Sequence, residues 1–184
     1  MKPAIVLDRD GVINEDSDAY IRRVEEWIPL PGSIEAIAAL SKAGWPIYVA
    51  TNQSGLARAY YGLSELTAMH DKLRTLVHAL GGQIEDIVFC PHRPEDACDC
   101  RKPLPGLLDQ LSARHGRLQG GYMVGDSRRD LEAGLARGLQ PILVLTGKGR
   151  LTQSRLADEA ELPHLRIYAD LAAFARELLQ TEGA

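Results

Sequence analysis

The chain has 184 residues, enough for one sizeable hydrophobic core, and we expect a single domain over residues 1–184. Its 25 acidic and 21 basic residues leave a formal net charge of −4, which does not favour binding to a nucleic-acid backbone. The sequence has no apolar run long enough to span a bilayer, no signal-peptide pattern, and three cysteines too closely spaced for a disulfide framework. These features predict a cytoplasmic protein with neither a nucleic-acid nor a membrane partner.

Short apolar runs alternate with longer amphipathic segments along the chain. The first run, residues 4–7, predicts a buried strand that ends at Asp8, and the apolar spacing over residues 33–43 predicts a helix. The alternation continues with strands predicted over 46–50, 84–89, 121–124 and 141–145, and with helices over 64–80, 106–115 and 127–137. The tail is expected to hold a further helix pair around a short apolar run. This order predicts an α/β fold with a Rossmann-like parallel sheet and helices on both faces.

Polar residues end three of the predicted strands. Asp8 follows the first strand, Thr51 the second and Asp126 the fourth. Ligands of open parallel sheets bind beyond the carboxyl ends of the strands, so these three side chains are expected to converge at one crevice.

Two acidic motifs lie at these strand ends. Asp8 and Asp10 are in an extended segment where alternate residues point the same way, and Gly11 lets the chain turn sharply beside a ligand. Asp126 and Asp130 open a predicted helix. Each motif alone has an ordinary explanation, a solvated loop for the first and a helix cap for the second. Together their oxygens suit Mg²⁺, which binds through a few carboxylates and a substrate phosphate.

An aspartate at such a metal site can act as a nucleophile. An ionised carboxylate needs no base to attack phosphorus, but its charge repels a phosphate dianion, and a metal ion with a nearby lysine removes that repulsion. Lys102, at the end of the loop after the third strand, is the candidate lysine, and the Thr51 hydroxyl can donate to a phosphoryl oxygen. The ordinary alternatives are a surface lysine and a strand-ending threonine. The combination predicts phosphoryl transfer to Asp8.

Four segments of the sequence resemble, in order, the four motifs of the haloacid-dehalogenase (HAD) superfamily of phosphatases: Asp8-x-Asp10-Gly11, Thr51-Asn52-Gln53, Lys102 and Gly125-Asp126-x-x-x-Asp130. The resemblance covers roughly residues 3 to 150. It implies that Asp8 is the nucleophile and Asp10 the general acid and base, while Thr51 and Lys102 hold the phosphoryl group. It also implies Mg²⁺ binding by Asp8, by the backbone carbonyl of Asp10 and by Asp126.

A compact loop over residues 90–100 contains all three cysteines and one histidine. Cys90, His92, Cys98 and Cys100 form a Cys₃His set, which is a closed tetrahedral ligand set for structural zinc. Such a zinc would organise the loop that precedes Lys102 rather than catalyse. The alternatives are three reduced cysteines without a metal, or a nucleic-acid zinc ribbon, which normally needs two ligand pairs and basic surroundings.

Within the superfamily the sequence is similar to two groups that have a zinc loop. One removes the 7-phosphate of D-glycero-D-manno-heptose 1,7-bisphosphate in lipopolysaccharide core biosynthesis, and the segments 8–14, 52–58 and 146–149 resemble it. The other hydrolyses histidinol phosphate, and the short spacing between His92 and Cys98 resembles it at least as much. Neither the first nor the third strand is followed by a sizeable insertion, so no large cap domain is expected.

The same resemblance places residues 14–20 in a flexible substrate loop. The implied substrate-binding residues are Asn52, Gln53, Ser54, Gly55, Arg101, Arg58, Asp16 and Tyr20. A second substrate phosphate would need cations, which Arg58 and Arg101 supply and which Arg22 and Arg23 could extend, whereas histidinol phosphate would need carboxylates such as Asp16 and Asp18.

We expect a monomer whose partner is a small sugar phosphate. The alternative of a different class is a binding module that kept the fold but lost the chemistry, and the intact set of four motifs argues against it. The remaining histidines are interpreted as ordinary surface or helix residues: His70, His78, His115 and His164.

Overall fold

The structure is a computed structural model that describes residues 2–116, 118–158 and 162–181. Its strands are β1 (Ile5–Leu7), β2 (Ile47–Asn52), β3 (Asp86–Cys90), β4 (Tyr122–Gly125), β5 (Gln140–Val144) and β6 (Arg166–Tyr168). Its helices are α1 (Ser33–Lys42), α2 (Leu63–Ala79), α3 (Gly106–His115), α4 (Arg128–Leu135), α5 (Gly149–Asp158) and α6 (Leu171–Thr181). The predicted β-α alternation is therefore present. The apolar run of the tail is an edge strand, β6, between two helices.

All six strands of the described sheet are parallel, in the order β3-β2-β1-β4-β5-β6. The chain leaves β1 towards β2 on one side and later returns to β4 on the other, so the strand order reverses beside β1. A crevice forms at this point because the two neighbouring connections diverge to opposite faces of the sheet. Asp8 donates its backbone N–H to the Val124 carbonyl at 2.9 Å, which places the carboxyl ends of β1 and β4 side by side.

The two faces of the sheet belong to different cores, as the period of two along a strand requires. Ile5 and Leu7 pack into the larger core, together with residues of α1, α2 and α6. Val6 points the other way, into a second core that includes residues of α3. Helices on both faces leave the strand ends as the open part of the sheet, where polar side chains can reach solvent.

The connections that follow β1 and β3 are loops rather than inserted domains. Each contains one short 3-10 helix, at Val24–Glu26 and Pro94–Asp96. The described chain thus forms a small α/β unit without a large cap domain, as expected. None of its described helices has the length and apolar character needed to cross a membrane.

Candidate active site

The centre of the site is an ion pair between Asp8 and Lys102. Asp8 directly follows β1, and its Oδ1 lies 2.7 Å from Lys102 Nζ. Lys102 is almost fully buried, and its Nζ also donates to the Ala50 carbonyl at 2.7 Å. Asp130, on the first turn of α4, contacts the same Nζ at 2.7 Å. Burial opposes the charged form of Lys102, but Asp130 and Asp8 outweigh it and raise the pKa of Lys102.

Asp126 faces Asp8 from the end of β4. Its Oδ2 accepts the backbone N–H of Lys148 at 2.8 Å. A Cβ atom on Gly11 or Gly147 would lie 2.1 Å or 2.3 Å from this oxygen, so only glycine allows the two loops to close around the carboxylate. This explains in steric terms the glycine that follows the Asp8-x-Asp10 pair.

The carboxylates of Asp8, Asp126 and Asp130 offer oxygens within 4.8 Å of one another. Burial and then the charge of Asp130 raise the pKa of Asp8 to about 7, although Lys102 opposes the shift, and the same two causes raise the pKa of Asp126 to about 8. A divalent cation would relieve this repulsion, and hard oxygen donors are the ligands that Mg²⁺ prefers. The Asp130 carboxylate already accepts hydrogen bonds from Lys102 Nζ and from the Ser127 hydroxyl, the latter at 2.6 Å. Asp8 and Asp126 therefore fit the predicted magnesium site, with Asp130 supporting it.

The Asp10 carboxylate is not part of that cluster. It receives hydrogen bonds from the guanidinium of Arg9 at 3.0 Å and 3.1 Å, from Asn14 Nδ2 at 2.9 Å and from Gln53 Nε2 at 2.9 Å. The side chain therefore contributes no oxygen to the three-carboxylate cluster, which agrees with a predicted metal contact through the backbone carbonyl. Its carboxylate remains partly exposed at the mouth of the crevice, where an acid or base would be needed.

Thr51 and Asn52 end β2 beside the ion pair. Thr51 is buried and its Oγ1 accepts from Gln53 Nε2 at 2.8 Å. Asn52 contacts the backbone of Lys102 twice, because its Oδ1 accepts the N–H and its Nδ2 donates to the carbonyl, both at 3.1 Å. Asn52 thus positions the lysine, a role that sequence reasoning did not give it.

Two adjoining cavities open above these residues. The inner one, of about 90 Å³, is lined by Asp8, Asp10, Asp16, Thr51, Asn52, Lys102, Asp126, Ser127, Arg129, Asp130 and Lys148. The outer one, of about 330 Å³, is lined by Asp10, Asp16, Ser17, Asp18, Tyr20, Ile21, Asn52, Gln53, Ser54, Tyr61, Arg101, Arg129 and Lys148. Asp10 lies at the junction of the two, between the space for a phosphoryl group and the space for the rest of a substrate.

The predicted substrate-binding residues are only partly brought together. Asp16, Tyr20 and Arg101 line the outer cavity. Arg58 lines neither cavity, and its guanidinium lies 3.9 Å from Glu95. Gly55 has a packing role, because a Cβ atom there would lie 2.2 Å from the ring of Tyr61.

The other charged residues that the sequence suggested for substrate binding are in part outside the cavities and in part already paired. Arg22 stacks over the Tyr60 ring at 4.6 Å and, like Arg23, lines neither cavity. Asp16 and Asp18, the carboxylates considered for histidinol phosphate, are paired with Lys148 at 3.3 Å and 3.4 Å.

The cysteine loop forms a compact cluster next to the crevice. His92 Nδ1 lies 3.6 Å from Cys90 Sγ and 3.4 Å from Cys100 Sγ, and Cys98 Sγ is 3.6 Å from both other sulfurs. A tetrahedral zinc with ordinary bond lengths needs sulfur–sulfur separations of about 3.8 Å and sulfur–nitrogen separations of about 3.6 Å. The cluster fits that ion. Arg101 Nη1 donates to the His92 carbonyl at 3.1 Å, which couples the loop to the outer cavity.

Several residues of the site were not predicted from the sequence. Arg9 is fully buried and its Nη1 lies 3.4 Å from His70 Nε2. His70 is a helix residue, as expected, but it is buried, and burial followed by the charge of Arg9 lowers its pKa to about 3. Arg129 is exposed and lines both cavities. The only available signal for Arg129 was its place inside the Asp126-to-Asp130 motif.

Comparisons with known proteins identify the family to which the chain belongs. A family model for polynucleotide kinase 3 phosphatase matches residues 5–128, and one described as HAD-hydrolase-like matches residues 99–174. The chain is 57% identical, over 176 residues, to the D-glycero-beta-D-manno-heptose-1,7-bisphosphate 7-phosphatase of Pseudomonas putida, covering 95% of this chain and 98% of that protein.

Two solved structures are also similar. The D,D-heptose 1,7-bisphosphate phosphatase of Bordetella bronchiseptica, complexed with magnesium and phosphate, has a TM-score of 0.92 at 48% identity and covers 98% of this chain and 99% of that one. The corresponding Burkholderia thailandensis phosphatase has a TM-score of 0.73 at 41% identity and covers 97% and 99%. The chain therefore belongs to the HAD-like phosphatases, in the family of D-glycero-beta-D-manno-heptose-1,7-bisphosphate 7-phosphatases.

Proposed function

We propose that this protein removes the 7-phosphate of D-glycero-D-manno-heptose 1,7-bisphosphate through a phospho-aspartate on Asp8. The observation that carries the proposal is the buried contact between Asp8 and Lys102 at the end of β1. An anionic nucleophile is paired there with a cation that can stabilise the transferred phosphoryl charge. The relatives named above carry this activity in their names.

In the first step, an oxygen of Asp8 attacks the phosphorus of the 7-phosphate. The bond from phosphorus to the sugar oxygen breaks, and the phosphoryl group passes to Asp8. Lys102 and the Thr51 hydroxyl contact the phosphoryl oxygens, whose charge would otherwise repel the attacking carboxylate. A sugar alkoxide is too basic to leave unprotonated, so Asp10, at the junction of the two cavities, donates a proton to it.

In the second step, water attacks the phosphorus of the phospho-aspartate. Asp10, now ionised, takes the proton of that water, and the bond between phosphorus and the Asp8 oxygen breaks. Inorganic phosphate leaves, and Asp8 returns to its carboxylate form. The same residue thus acts as acid and then as base, as the two half-reactions require.

Two metal ions fit the donor sets. Asp8, Asp126 and the Asp10 carbonyl would hold Mg²⁺, which supplies positive charge to the phosphoryl oxygens when bound. Cys90, His92, Cys98 and Cys100 would hold zinc, with no open position for a substrate, so we assign it a structural role. That role is to hold Arg101 and Lys102 against the crevice.

The charge around the outer cavity favours a bisphosphate. Arg101 and Arg129 both line it, and the positive charge of Arg129 is, after burial, the next cause that lowers the pKa of Arg101. Two guanidiniums that line one cavity suit a second phosphate, which can accept charge-assisted hydrogen bonds from both. Lys148 pairs with both Asp16 and Asp18 and offsets one of their two negative charges, which leaves less negative charge for a cationic substrate such as histidinol phosphate.

The test is a phosphate-release assay with heptose bisphosphate and histidinol phosphate, in Mg²⁺ and in EDTA. We expect release from the bisphosphate only with Mg²⁺, loss of the 7-phosphate signal by ³¹P NMR, and a kcat/KM more than about a hundredfold above that for histidinol phosphate. Asp8→Asn should be inactive, whereas Asp109→Asn, a surface change, should be unaffected. A preference for histidinol phosphate would contradict the substrate and leave the phosphatase standing. Activity in Asp8→Asn would contradict the nucleophile.

A further inference from the structure

Tyr61 has a buried hydroxyl next to the active site that the mechanism above does not use. Its Oη donates to Gln53 Oε1 at 2.6 Å. The ring of Tyr61 packs against Gly55. A Cβ atom at position 55 would lie 2.2 Å from this ring, so only glycine leaves room for it. Burial raises the pKa of Tyr61 to about 12, so the hydroxyl keeps its proton at any working pH.

Both polar atoms of the Gln53 side-chain amide are hydrogen bonded. The oxygen accepts from Tyr61, and the nitrogen donates both of its hydrogens, to Asp10 Oδ2 at 2.9 Å and to Thr51 Oγ1 at 2.8 Å. Its backbone N–H is bonded to the Cys90 carbonyl at 2.7 Å, which holds the residue in place. The amide therefore connects the acid–base residue with the residue that holds the phosphoryl group.

The direction of these hydrogen bonds decides what Thr51 can do. While Thr51 Oγ1 accepts from the Gln53 nitrogen, its own hydrogen stays free to be donated to a phosphoryl oxygen. If the amide were turned over, its oxygen would face Thr51, and the hydroxyl would donate to Gln53 instead. The flipped amide would also place its oxygen against the Asp10 carboxylate, and it would leave the Tyr61 hydrogen without the acceptor it has now.

The Tyr61 hydroxyl favours the observed orientation, because its hydrogen has Gln53 Oε1 as an acceptor only when the amide oxygen faces it. The Asp10 carboxylate favours the same orientation, because it accepts from the amide nitrogen at 2.9 Å. We propose that Tyr61 is a positioning residue that acts through Gln53, keeping the Thr51 hydroxyl free for the phosphoryl group. This inference rests on the role proposed above for Thr51.

The test compares Tyr61→Phe with Tyr48→Phe, which removes a tyrosine hydroxyl from a β2 residue that lines neither cavity. Tyr61→Phe should lower kcat for a sugar phosphate by roughly three- to tenfold, the range expected for one net hydrogen bond. The loss should be similar for 4-nitrophenyl phosphate, because the Thr51 hydroxyl contacts the phosphoryl group, which both substrates share. Tyr48→Phe should match the wild type with both substrates. Equal kcat in the two variants would overturn the proposal.

Because the Tyr61 ring lines the outer cavity, a double-mutant cycle must exclude direct substrate contact. In a Gln53→Met background, Tyr61→Phe should have no further effect on kcat, whereas an additive loss or a loss confined to KM would contradict action through Gln53. Gln53→Glu provides a second variant, since it retains the acceptor for Tyr61 but loses the donor to Asp10 and Thr51. It should lose at least as much activity as Tyr61→Phe, and full activity would overturn the inference. Failure of the proposed function would appear separately, as no phosphate release by the wild-type protein.

Discussion

Lys102 Nζ lies 2.7 Å from Asp130 Oδ1, and both side chains are almost completely buried. Asp130 therefore holds the lysine by a second ion pair, in addition to its contact with Asp8. Lys102 has no freedom to move away from the nucleophile, because its backbone is also clamped by Asn52. Preorganised charge of this kind stabilises a transition state without reorganisation at the moment of reaction.

Lys102→Met should abolish activity and also destabilise the protein. The change leaves Asp8 and Asp130 buried without their cation, and breaking a buried pair costs about 3–5 kcal/mol of the free energy of unfolding. Lys42→Met, an exposed change on α1, should leave both properties unchanged. Urea denaturation and phosphate release measure the two effects. A kcat within tenfold of the wild type would rule out the proposed role of Lys102.

Stability of the metal-free protein should depend on pH through Asp8 and Asp126. Their pKa values are raised to about 7 and about 8, so the folded state binds these protons more tightly than the unfolded chain. The free energy of unfolding in EDTA should therefore be highest near about pH 4 and fall as the pH rises to about 8, because ionising these two carboxyl groups costs the folded state more than the unfolded chain.

Mg²⁺ favours the ionised carboxylates, so it should stabilise the protein more at high pH than at low pH. Urea denaturation with EDTA or Mg²⁺ at several pH values checks this. Asp126→Asn serves as the comparison and should flatten the pH dependence in EDTA. A pH-independent effect of Mg²⁺ would contradict the assignment of the cation to these carboxylates.

Dialysed protein should retain about one zinc per chain, since the four ligands form a closed set. Cys98→Ser should reduce the zinc content, lower the melting temperature and raise KM, because the loop that carries Arg101 would lose its anchor. Asp99→Ser, which changes an exposed residue between two ligands, should retain zinc and normal kinetics. Unchanged melting of a zinc-free preparation would contradict the structural role.

Arg101 and Arg129 should set the preference for a bisphosphate. Arg101→Ala and Arg129→Ala should each lower kcat/KM for heptose bisphosphate by roughly tenfold or more, the effect of one lost charge-assisted contact, with little change for an aryl phosphate. Arg58→Ala should have a smaller effect, because Arg58 lines neither cavity. A larger loss in Arg58→Ala than in Arg129→Ala would contradict the structure and favour Arg58, the residue expected from the sequence, as the one that binds the second phosphate.

Much of the fold and the reacting centre could be predicted because the signals are local. Short apolar runs indicate the strands and helical spacing indicates the helices. The parallel sheet then brings Asp8, Thr51 and Asp126 to one edge whatever the details of packing. Cys90, His92, Cys98 and Cys100 are close in sequence, so their clustering needed only a loop.

Contacts between distant segments could not be predicted in this way. His70 belongs to no motif, and its contact with Arg9 depends on how α2 packs against the loop after β1. Tyr61 reaches Gln53 only because the turn at Gly55 leaves room for its ring. The motifs identify the residues that react, because chemistry restricts residue type and spacing. The orientation of those residues is decided by buried hydrogen bonds, whose donors and acceptors become partners only when the chain is packed.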